Sequence, residues 1–308
     1  MNNVVSLVRA HLPKKAIKTS IAEALDLIDF KPKNPVNSIS IKVNLCYYWA
    51  AATGQTTDPR VTAGIIDYVR ERYGKDVHIR VVEADATAMR TKHVFLMLGY
   101  EKLAKEKGVE LFNLCKDNLY EKTVKVNGRE ITFKVPQSLL ESDLFINVPK
   151  LKTVSETKVT CALKNIFGCI GEPRKFAYHP FLHEAIIGIN KILHPDLTIV
   201  DGLVALGRFP IRLDLIMAGA DPYAVDLVAS KIMGFSPSKV GYLKIALKEK
   251  LVDSRSVTTR GEDLKTLKKE FPAVNFFYSK KWWNIQLGLL KTYATLANDV
   301  IPPFLEKT

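Results

Sequence analysis

The strongest constraint on the fold is a near-continuous apolar run at residues 143–148, DLFINV, which is followed at once by polar and basic residues. A short apolar run without alternation is typical of a strand that is buried on both faces of a sheet. Such a strand needs covering elements on both sides. The run therefore predicts the central strand of an α/β sheet.

Strand and helix patterns alternate along the rest of the chain. We predict further strands at 38–44, 77–85, 109–114, 197–202 and 214–219. We predict helices at 59–73, 94–107 with a break near Gly99, 157–167, 181–193, 222–233, 237–251 and 261–270. Asn127-Gly128 lies between two alternating segments at 123–135 and predicts a β-hairpin. The fold class is α/β, with a mainly parallel, doubly wound sheet, an inserted β-hairpin and a C-terminal helical extension.

The same pattern suggests a division of the chain. Residues 1–255 form the α/β domain, in one or two lobes, and residues 256–308 form the C-terminal helical extension. The 308-residue length is sufficient for one large domain or two modest ones.

Polar side chains cluster where the predicted strands end. Ligands of open α/β sheets bind beyond the carboxyl ends of the strands, so we expect these side chains to converge on one site. The candidate substrate-binding residues are Lys42, Asn44, Thr57, Asp58, Asn147, Lys150, Lys152, Thr157, Thr160 and Asn165.

The segment from Asp143 to His179 carries the most suggestive part of this cluster. A helix that starts near Thr157 would direct its free N–H groups at an anion and place Thr160 and Lys164 on one face. Lys164, His179 and Asp201 are the candidate catalytic residues, with His179 or Asp201 as proton carrier. The alternative is that this face is simply the solvated side of an amphipathic helix.

The net charge of +13 is compatible with an acidic substrate, nucleic acid or an anionic membrane surface. Many lysines alternate with glutamates on helices, and no nucleic-acid-binding motif accompanies them, so nucleic acid is the least favoured partner. The four cysteines are far apart and form no ferredoxin or zinc motif, which leaves any metal unknown. No phosphate-loop, dinucleotide or nucleophile-elbow motif occurs.

No apolar stretch is long enough for a membrane-spanning helix, and no signal peptide is recognisable, so we expect a cytoplasmic protein. Residues 274–305 combine aromatic residues, lysines and a helix-spaced apolar stripe. This segment would pack on the domain, form a homodimer or lie on a membrane surface, and we favour packing or dimerisation.

Several strings taken together resemble the family of unknown function numbered 362. They are KVN and TTDP, VVEAD, INVPKLKT, TKVTCALKNIFGCIG, LTIVDG and AGADPYAVDLVA, and the resemblance covers roughly residues 38–250. Many members of that family carry iron–sulfur motifs, which would imply electron transfer. This chain lacks such a cysteine cluster, so the resemblance does not extend to that role.

A more distant resemblance links the chain to the nickel-pincer lactate racemases. Lys164 matches the lysine that holds the pincer cofactor in that family, and His179 lies near the position of its second histidine. Val154 stands where the family has a turn histidine. The resemblance therefore implies a shared fold and pocket floor, and it leaves a metal or pincer-type cofactor without its expected ligand.

These observations favour an enzyme that acts on a small anionic substrate, a carboxylate or phosphate-bearing molecule, through an isomerase, lyase or redox step. Two alternatives stay open. One is a protein that binds nucleic acid or an anionic membrane through its basic surface. The other is a metal or iron–sulfur redox protein.

Overall fold

The computed structural model describes residues 3–10, 17–32, 35–87 and 89–271, together with residues 285, 288, 289, 292, 293, 295 and 296. Most of the segment 274–305 lies outside these residues, and so do the predictions made for it.

The strands, in chain order, are β1 (Val4–Arg9), β2 (Ser38–Lys42), β3 (His78–Glu83), β4 (Glu110–Asn113), β5 (Leu119–Val126), β6 (Arg129–Pro136), β7 (Leu144–Asn147), β8 (Lys150–Val154), β9 (Lys158–Thr160), β10 (Leu197–Leu206), β11 (Pro210–Gly219) and β12 (Thr258–Gly261). The helices are α1 (Ile17–Leu27), α2 (Pro59–Tyr73), α3 (Thr91–Met97), α4 (Tyr100–Lys107), α5 (Gln137–Leu140), α6 (Ala162–Phe167), α7 (Leu182–Ile192), α8 (Pro222–Ile232), α9 (Gly241–Lys248) and α10 (Leu264–Glu270).

The main sheet has the strand order β12-β1-β11-β10-β7-β2-β3-β4, and β8 pairs with β10 and β9. The strands from β10 through β7, β2 and β3 to β4 are parallel to their neighbours. β11 is antiparallel to both β10 and β1. The predicted α/β class with a mainly parallel sheet is confirmed.

β7 is the central strand that the apolar run predicted. Leu144 and Ile146 pack into the apolar cluster on one face of the sheet, and Phe145 packs into the cluster on the other face. Because both faces are buried, the run contains no polar residue until Asn147. This strand fixes where its carboxyl end, and therefore the polar cluster, lies in the molecule.

Local signals placed several elements correctly. Asp58 caps α2 by accepting a hydrogen bond from the N–H of Arg60, and Pro59 is the first residue of the helix. Gly99, at φ 79°, separates α3 from α4. At the predicted hairpin turn Asn127 and Gly128 both have positive φ, as a type I′ turn requires. β5 and β6 form a two-stranded sheet of their own.

The predicted helix at 157–167 is wrong in its first half. Residues 150–160 form the antiparallel β8–β9 hairpin, and the helix begins only at Ala162. Val159 is buried and Thr157, Val159 and Thr160 are β-branched, which favours a pleated strand over a helix. Thr157, Thr160 and Lys164 therefore do not share a helical face.

The chain ends contribute elements that sequence patterns did not reveal. β1 inserts between β11 and β12, and α1 packs on α2. The predicted helix at 261–270 starts later, at Leu264, because residues 258–261 form β12. The boundary after residue 255 stays a prediction, although β12 belongs to the main sheet.

Candidate functional site

Two buried ion pairs lie at the carboxyl end of the parallel strands. Lys42 Nζ is 2.7 Å from Glu83 Oε1, and Lys150 Nζ is 2.9 Å from Asp201 Oδ2. All four side chains are almost completely excluded from solvent. Each charge is compensated within the protein. These two lysines therefore stabilise the site and do not offer an uncompensated positive charge to a ligand.

Asp201 and Glu83 each accept two backbone hydrogen bonds in addition to their ion pair, and those of Asp201 join distant elements. Besides Lys150, Asp201 accepts hydrogen bonds from the backbone N–H groups of Asp58, at 2.7 Å, and Leu203, at 3.0 Å. β10 continues to Leu206, so Asp201 lies within the strand and not at its end. These contacts give Asp201 the role of joining β8, β10 and the start of α2.

Three asparagines form a hydrogen-bonded layer beside the ion pairs. Asn165 Oδ1 accepts from Asn44 Nδ2 at 3.0 Å, and Asn165 Nδ2 donates to Asn147 Oδ1 at 2.8 Å. Asn147 Nδ2 in turn donates to the carbonyl of Ala162. Thr57 Oγ1 accepts from the N–H of Asn44 and donates to the carbonyl of Val148. The structure thus brings Lys42, Asn44, Thr57, Asn147 and Asn165 together, as predicted from the strand ends.

A second group contains charges that are less well compensated. Lys152, on β8, donates to the carbonyl of Gln55 at 2.6 Å and is buried. Lys164, on α6, is half-buried, and it has no hydrogen-bond or ion-pair partner within the described part of the chain. Burial, together with the positive charges of Lys164 and Lys150, lowers the pKa of Lys152 to about 8, while Cys46 and Glu83 oppose this shift.

His179 belongs to the same group. Its burial lowers the pKa of the imidazole to about 4, the charge of Lys164 acts in the same direction, and Glu156 opposes it. The imidazole is therefore neutral at pH 7 and can accept a proton. Lys164 thus acts electrostatically on both Lys152 and His179, which places the three side chains in one electropositive region.

Glu156 is a member of this region that the sequence did not single out. Its Oε2 atom is buried and has no hydrogen-bond partner among the described residues. The residue lies in the turn between β8 and β9, in the string VSETK, where a polar residue normally indicates solvent exposure. The only available signal was its position between two lysine-rich segments.

The start of α6 is not available to an anion. Asp226, on α8, accepts hydrogen bonds from the N–H groups of Ala162 and Leu163 and from the hydroxyl of Tyr242. We expected a substrate anion at the start of this helix, which we placed near Thr157. The helix instead starts at Ala162, and the carboxyl group of Asp226 occupies that position. Burial raises the pKa of Asp226 to about 7, while its hydrogen bonds oppose the rise.

The two candidate threonines, Thr157 and Thr160, lie in the β8–β9 hairpin and not on the predicted helix. Thr157 Oγ1 donates to the carbonyl of Val159 within the β8–β9 turn. Thr160 Oγ1, at the end of β9, is buried with no hydrogen-bond partner among the described residues.

Among the described residues, no group of three or more His, Cys, Asp or Glu side chains lies close enough to hold a metal ion. Val154 occupies the end of β8 where the racemase resemblance has a histidine.

A model of the family described as a domain of unknown function, DUF362, matches residues 39–231. The chain belongs to this family. A thylakoid-associated protein of Synechocystis sp. is similar to this chain, with 29% identity over 120 residues, which cover 35% of this chain and 37% of that protein. The chain therefore matches little more than a third of that relative's length.

Among solved structures, the lactate racemase apoprotein from Thermoanaerobacterium thermosaccharolyticum is similar to this DUF362 protein with a TM-score of 0.42 and 11% identity. The match covers 75% of this chain and 57% of the racemase. In the described part of the chain, no helix combines the length and apolarity needed to span a membrane.

Proposed function

We propose that this DUF362 protein is an enzyme that acts on a small anionic molecule, a carboxylate or a phosphate ester, bound beside Lys152, Lys164 and His179. The proposal is supported above all by two lysines that lack a counter-ion: Lys152 is buried with only the carbonyl of Gln55 as partner, and Lys164 is half-buried with no hydrogen-bond or ion-pair partner among the described residues. The ammonium groups of Lys152 and Lys164 repel one another, and an anion that binds between them would remove this repulsion, whereas the neutral His179 adds no charge. Glu156 compensates only part of this charge.

The proposed role of each side chain follows from its hydrogen-bond partners and its protonation state. Lys164 and Lys152 would bind the anionic group, because one has no internal partner and the other has only a carbonyl partner. His179, neutral at pH 7, would accept a proton from the bound molecule. The asparagine layer and the two buried ion pairs would keep these side chains in position. The class of reaction, whether isomerisation, elimination or a redox step, stays open.

The experiment is a binding titration followed by an exchange assay. Inorganic phosphate, glycerol phosphate, acetate and lactate are titrated into the full chain by calorimetry. The three organic anions are then incubated with the protein in heavy water, and deuterium incorporation at carbon is measured by mass spectrometry. We expect binding of at least one anion, with the affinity lowered on the order of tenfold or more in Lys164→Gln, because one charged contact is lost.

Lys134→Gln removes an exposed lysine elsewhere and serves as the matched control. His179→Gln should retain binding and lose exchange. Anion binding that is equal in the wild type and in Lys164→Gln would refute the proposed site.

A second candidate is peripheral association with an anionic membrane surface. The thylakoid-associated relative and the net charge of +13 favour it, although for residues 274–305 packing on the domain or dimerisation was preferred over a membrane surface. Cosedimentation of the full chain and of residues 1–271 with phosphatidylglycerol vesicles, alongside light-scattering mass measurements, tests both ideas. If the two proteins sediment equally with the vesicles and contain the same number of chains per particle, that result would reject a role of residues 274–305 in membrane binding and in dimerisation.

A further inference from the structure

A concave basic surface lies away from the site described above. It is bounded by the end of α8, the turn and short 3-10 helix at 234–239, the start of β9 and the first turns of α10, and it encloses about 670 Å³. Phe235 and Leu264 contribute its apolar part. Its lysines, which together we call the basic cleft, are Lys158, Lys231, Lys239, Lys265 and Lys268.

The charge of the basic cleft is not balanced from within. No carboxylate lines it, and none of its five lysines forms an ion pair with another described residue. Elsewhere in the molecule many lysines form ion pairs, for example Lys107 with Asp67 and Lys191 with Glu249. The nearby Asp263 caps α10 through the N–H and hydroxyl of Thr266 and interacts electrostatically with Lys265, so it offsets part of the charge of one of the five lysines.

Contacts between several elements also fix the shape of the basic cleft. Lys158 Nζ donates to the carbonyl of Lys239 at 3.0 Å, which joins β9 to the short 3-10 helix. Lys158 has φ of 66°, a conformation that residues other than glycine adopt only when the surrounding structure requires it. α10 packs on α8 and brings Lys265 and Lys268 to the opposite side.

We propose that the basic cleft binds a ligand that carries two or more clustered phosphate groups. Five like charges within one cleft repel each other, and a multivalent anion removes that repulsion. Each phosphate ester carries about 1.5 to 2 negative charges at neutral pH, so two or three match the lysines. Lysine ammonium groups act as point charges and accept varied phosphate geometries. The volume lies in the range of small-molecule sites, roughly 300–1,000 Å³.

This site is separate from the proposed catalytic region, because neither Lys164 nor His179 lines the basic cleft. The two proposals can therefore fail independently. The clustered phosphates could belong to a soluble metabolite or to the headgroup of a phosphorylated lipid, and the same lysines would bind either.

The test compares the full chain with two double variants. Lys265→Gln/Lys268→Gln removes two exposed charges from the cleft, and Lys102→Gln/Lys105→Gln removes two exposed charges from α4. Tripolyphosphate is titrated into each protein by calorimetry at two ionic strengths. Sedimentation with phosphatidylcholine vesicles, with and without phosphatidylinositol bisphosphate, forms the second arm.

We expect the cleft variant to bind tripolyphosphate on the order of tenfold more weakly, and the α4 variant to bind like the wild type. Binding should also weaken as salt increases. Cleft-dependent binding of vesicles alone would identify a lipid headgroup as the source of the phosphates.

The proposal is overturned if neither probe binds, or if both variants bind equally. It is also overturned if Lys164→Gln abolishes tripolyphosphate binding while the cleft variant retains it, because the anion would then occupy the other site.

Discussion

His179 and Lys164 form the pair of side chains on which the proposed chemistry depends. The neutral state of the imidazole follows from burial, from the adjacent ammonium group and from the incomplete compensation by Glu156. A buried histidine without these neighbours would be a packing residue. The electrostatic surroundings are therefore what distinguishes His179 as a candidate proton acceptor.

This leads to a prediction about the pKa of His179, which is lowered to about 4 by burial and by Lys164. Lys164→Gln removes a positive charge and should raise the pKa of His179, because the protonated imidazole is no longer repelled. Glu156→Gln removes a negative charge and should lower it. The ring resonances of His179, followed by NMR across a pH titration, measure both shifts. Shifts of the same sign in the two variants would contradict the arrangement.

Asp226 gives a second prediction, since burial raises its pKa to about 7. In the unfolded chain the carboxyl has a pKa of about 3.9, so the folded state binds more protons between these values. The contribution to stability is fully present below the unfolded pKa and is lost as the pH rises through 7. The contribution of Asp226 to the free energy of unfolding therefore falls from pH 5 to pH 7, whereas that of His179, whose pKa is lowered, rises up to about pH 6.5. The Asp226 contribution is therefore measured as the difference between wild type and Asp226→Asn.

The decline in stability should be smaller in Asp226→Asn, which cannot lose a proton. Urea unfolding at several pH values measures it. Asp263→Asn, at an exposed helix cap, is the control and should keep the wild-type slope. Equal slopes in Asp226→Asn and wild type would contradict the pKa assignment.

At the scale of elements, the β8–β9 hairpin decides the shape of the site. It carries Lys150 and Lys152 along one strand, turns at Glu156 and returns to Thr160. The pairing of Lys150 with Asp201 in β10 fixes the hairpin to the main sheet. The position of Lys152 and Glu156 thus depends on a buried ion pair in which each partner compensates the charge of the other.

Breaking that pair should be costly. Lys150→Met leaves the Asp201 carboxylate buried without its counter-charge, and we expect a loss of about 3–5 kcal/mol in the free energy of unfolding. The double variant Lys150→Met/Asp201→Asn should lose less than the sum of its single variants, because the unpaired charge is gone. Chemical denaturation gives all three values.

Lys134→Gln is the control for this cycle, since its 3.7 Å pair with Glu172 is partly exposed. Its effect should stay within about 1 kcal/mol. Strict additivity of the two changes at Lys150 and Asp201 would mean that the pair contributes no coupling.

On the scale of the whole molecule, the two ends of the described chain meet at one edge of the sheet. β1 lies between β11 and β12, and the N–H of Glu262 donates to the carbonyl of Leu7. Gly261 permits this close approach. It has φ of 95°, and a Cβ at this position would lie 2.1 Å from the carbonyl oxygen of Leu7.

We therefore expect Gly261→Ala to destabilise the fold by about 2–4 kcal/mol, because the left-handed conformation is strained and β12 must move away from β1. Gly74→Ala is the matched control. Gly74 also has positive φ, at 104°, but a Cβ there meets nothing within 4 Å. Its cost should be limited to backbone strain, about 1–2 kcal/mol. Thermal unfolding of both variants measures the difference, and equal costs would contradict the steric part of the argument.

The sequence by itself determined the elements whose signals are local. The apolar run of β7, the Asp58 cap of α2 and the Asn127-Gly128 turn each depend on neighbouring residues, so they could be read correctly without the structure. The convergence of Lys42, Asn44 and Asn147 also followed, since carboxyl ends of parallel strands meet at one edge of the sheet.

Only the tertiary structure decided which lysines of the polar cluster are compensated. Lys42 and Lys150 find their carboxylates on β3 and β10, and Asp226 comes from α8 to occupy the start of α6. The insertion of β1 beside β11 likewise joins residues more than two hundred positions apart. Charge compensation and edge pairing depend on contacts distant in sequence, and no local pattern encodes them.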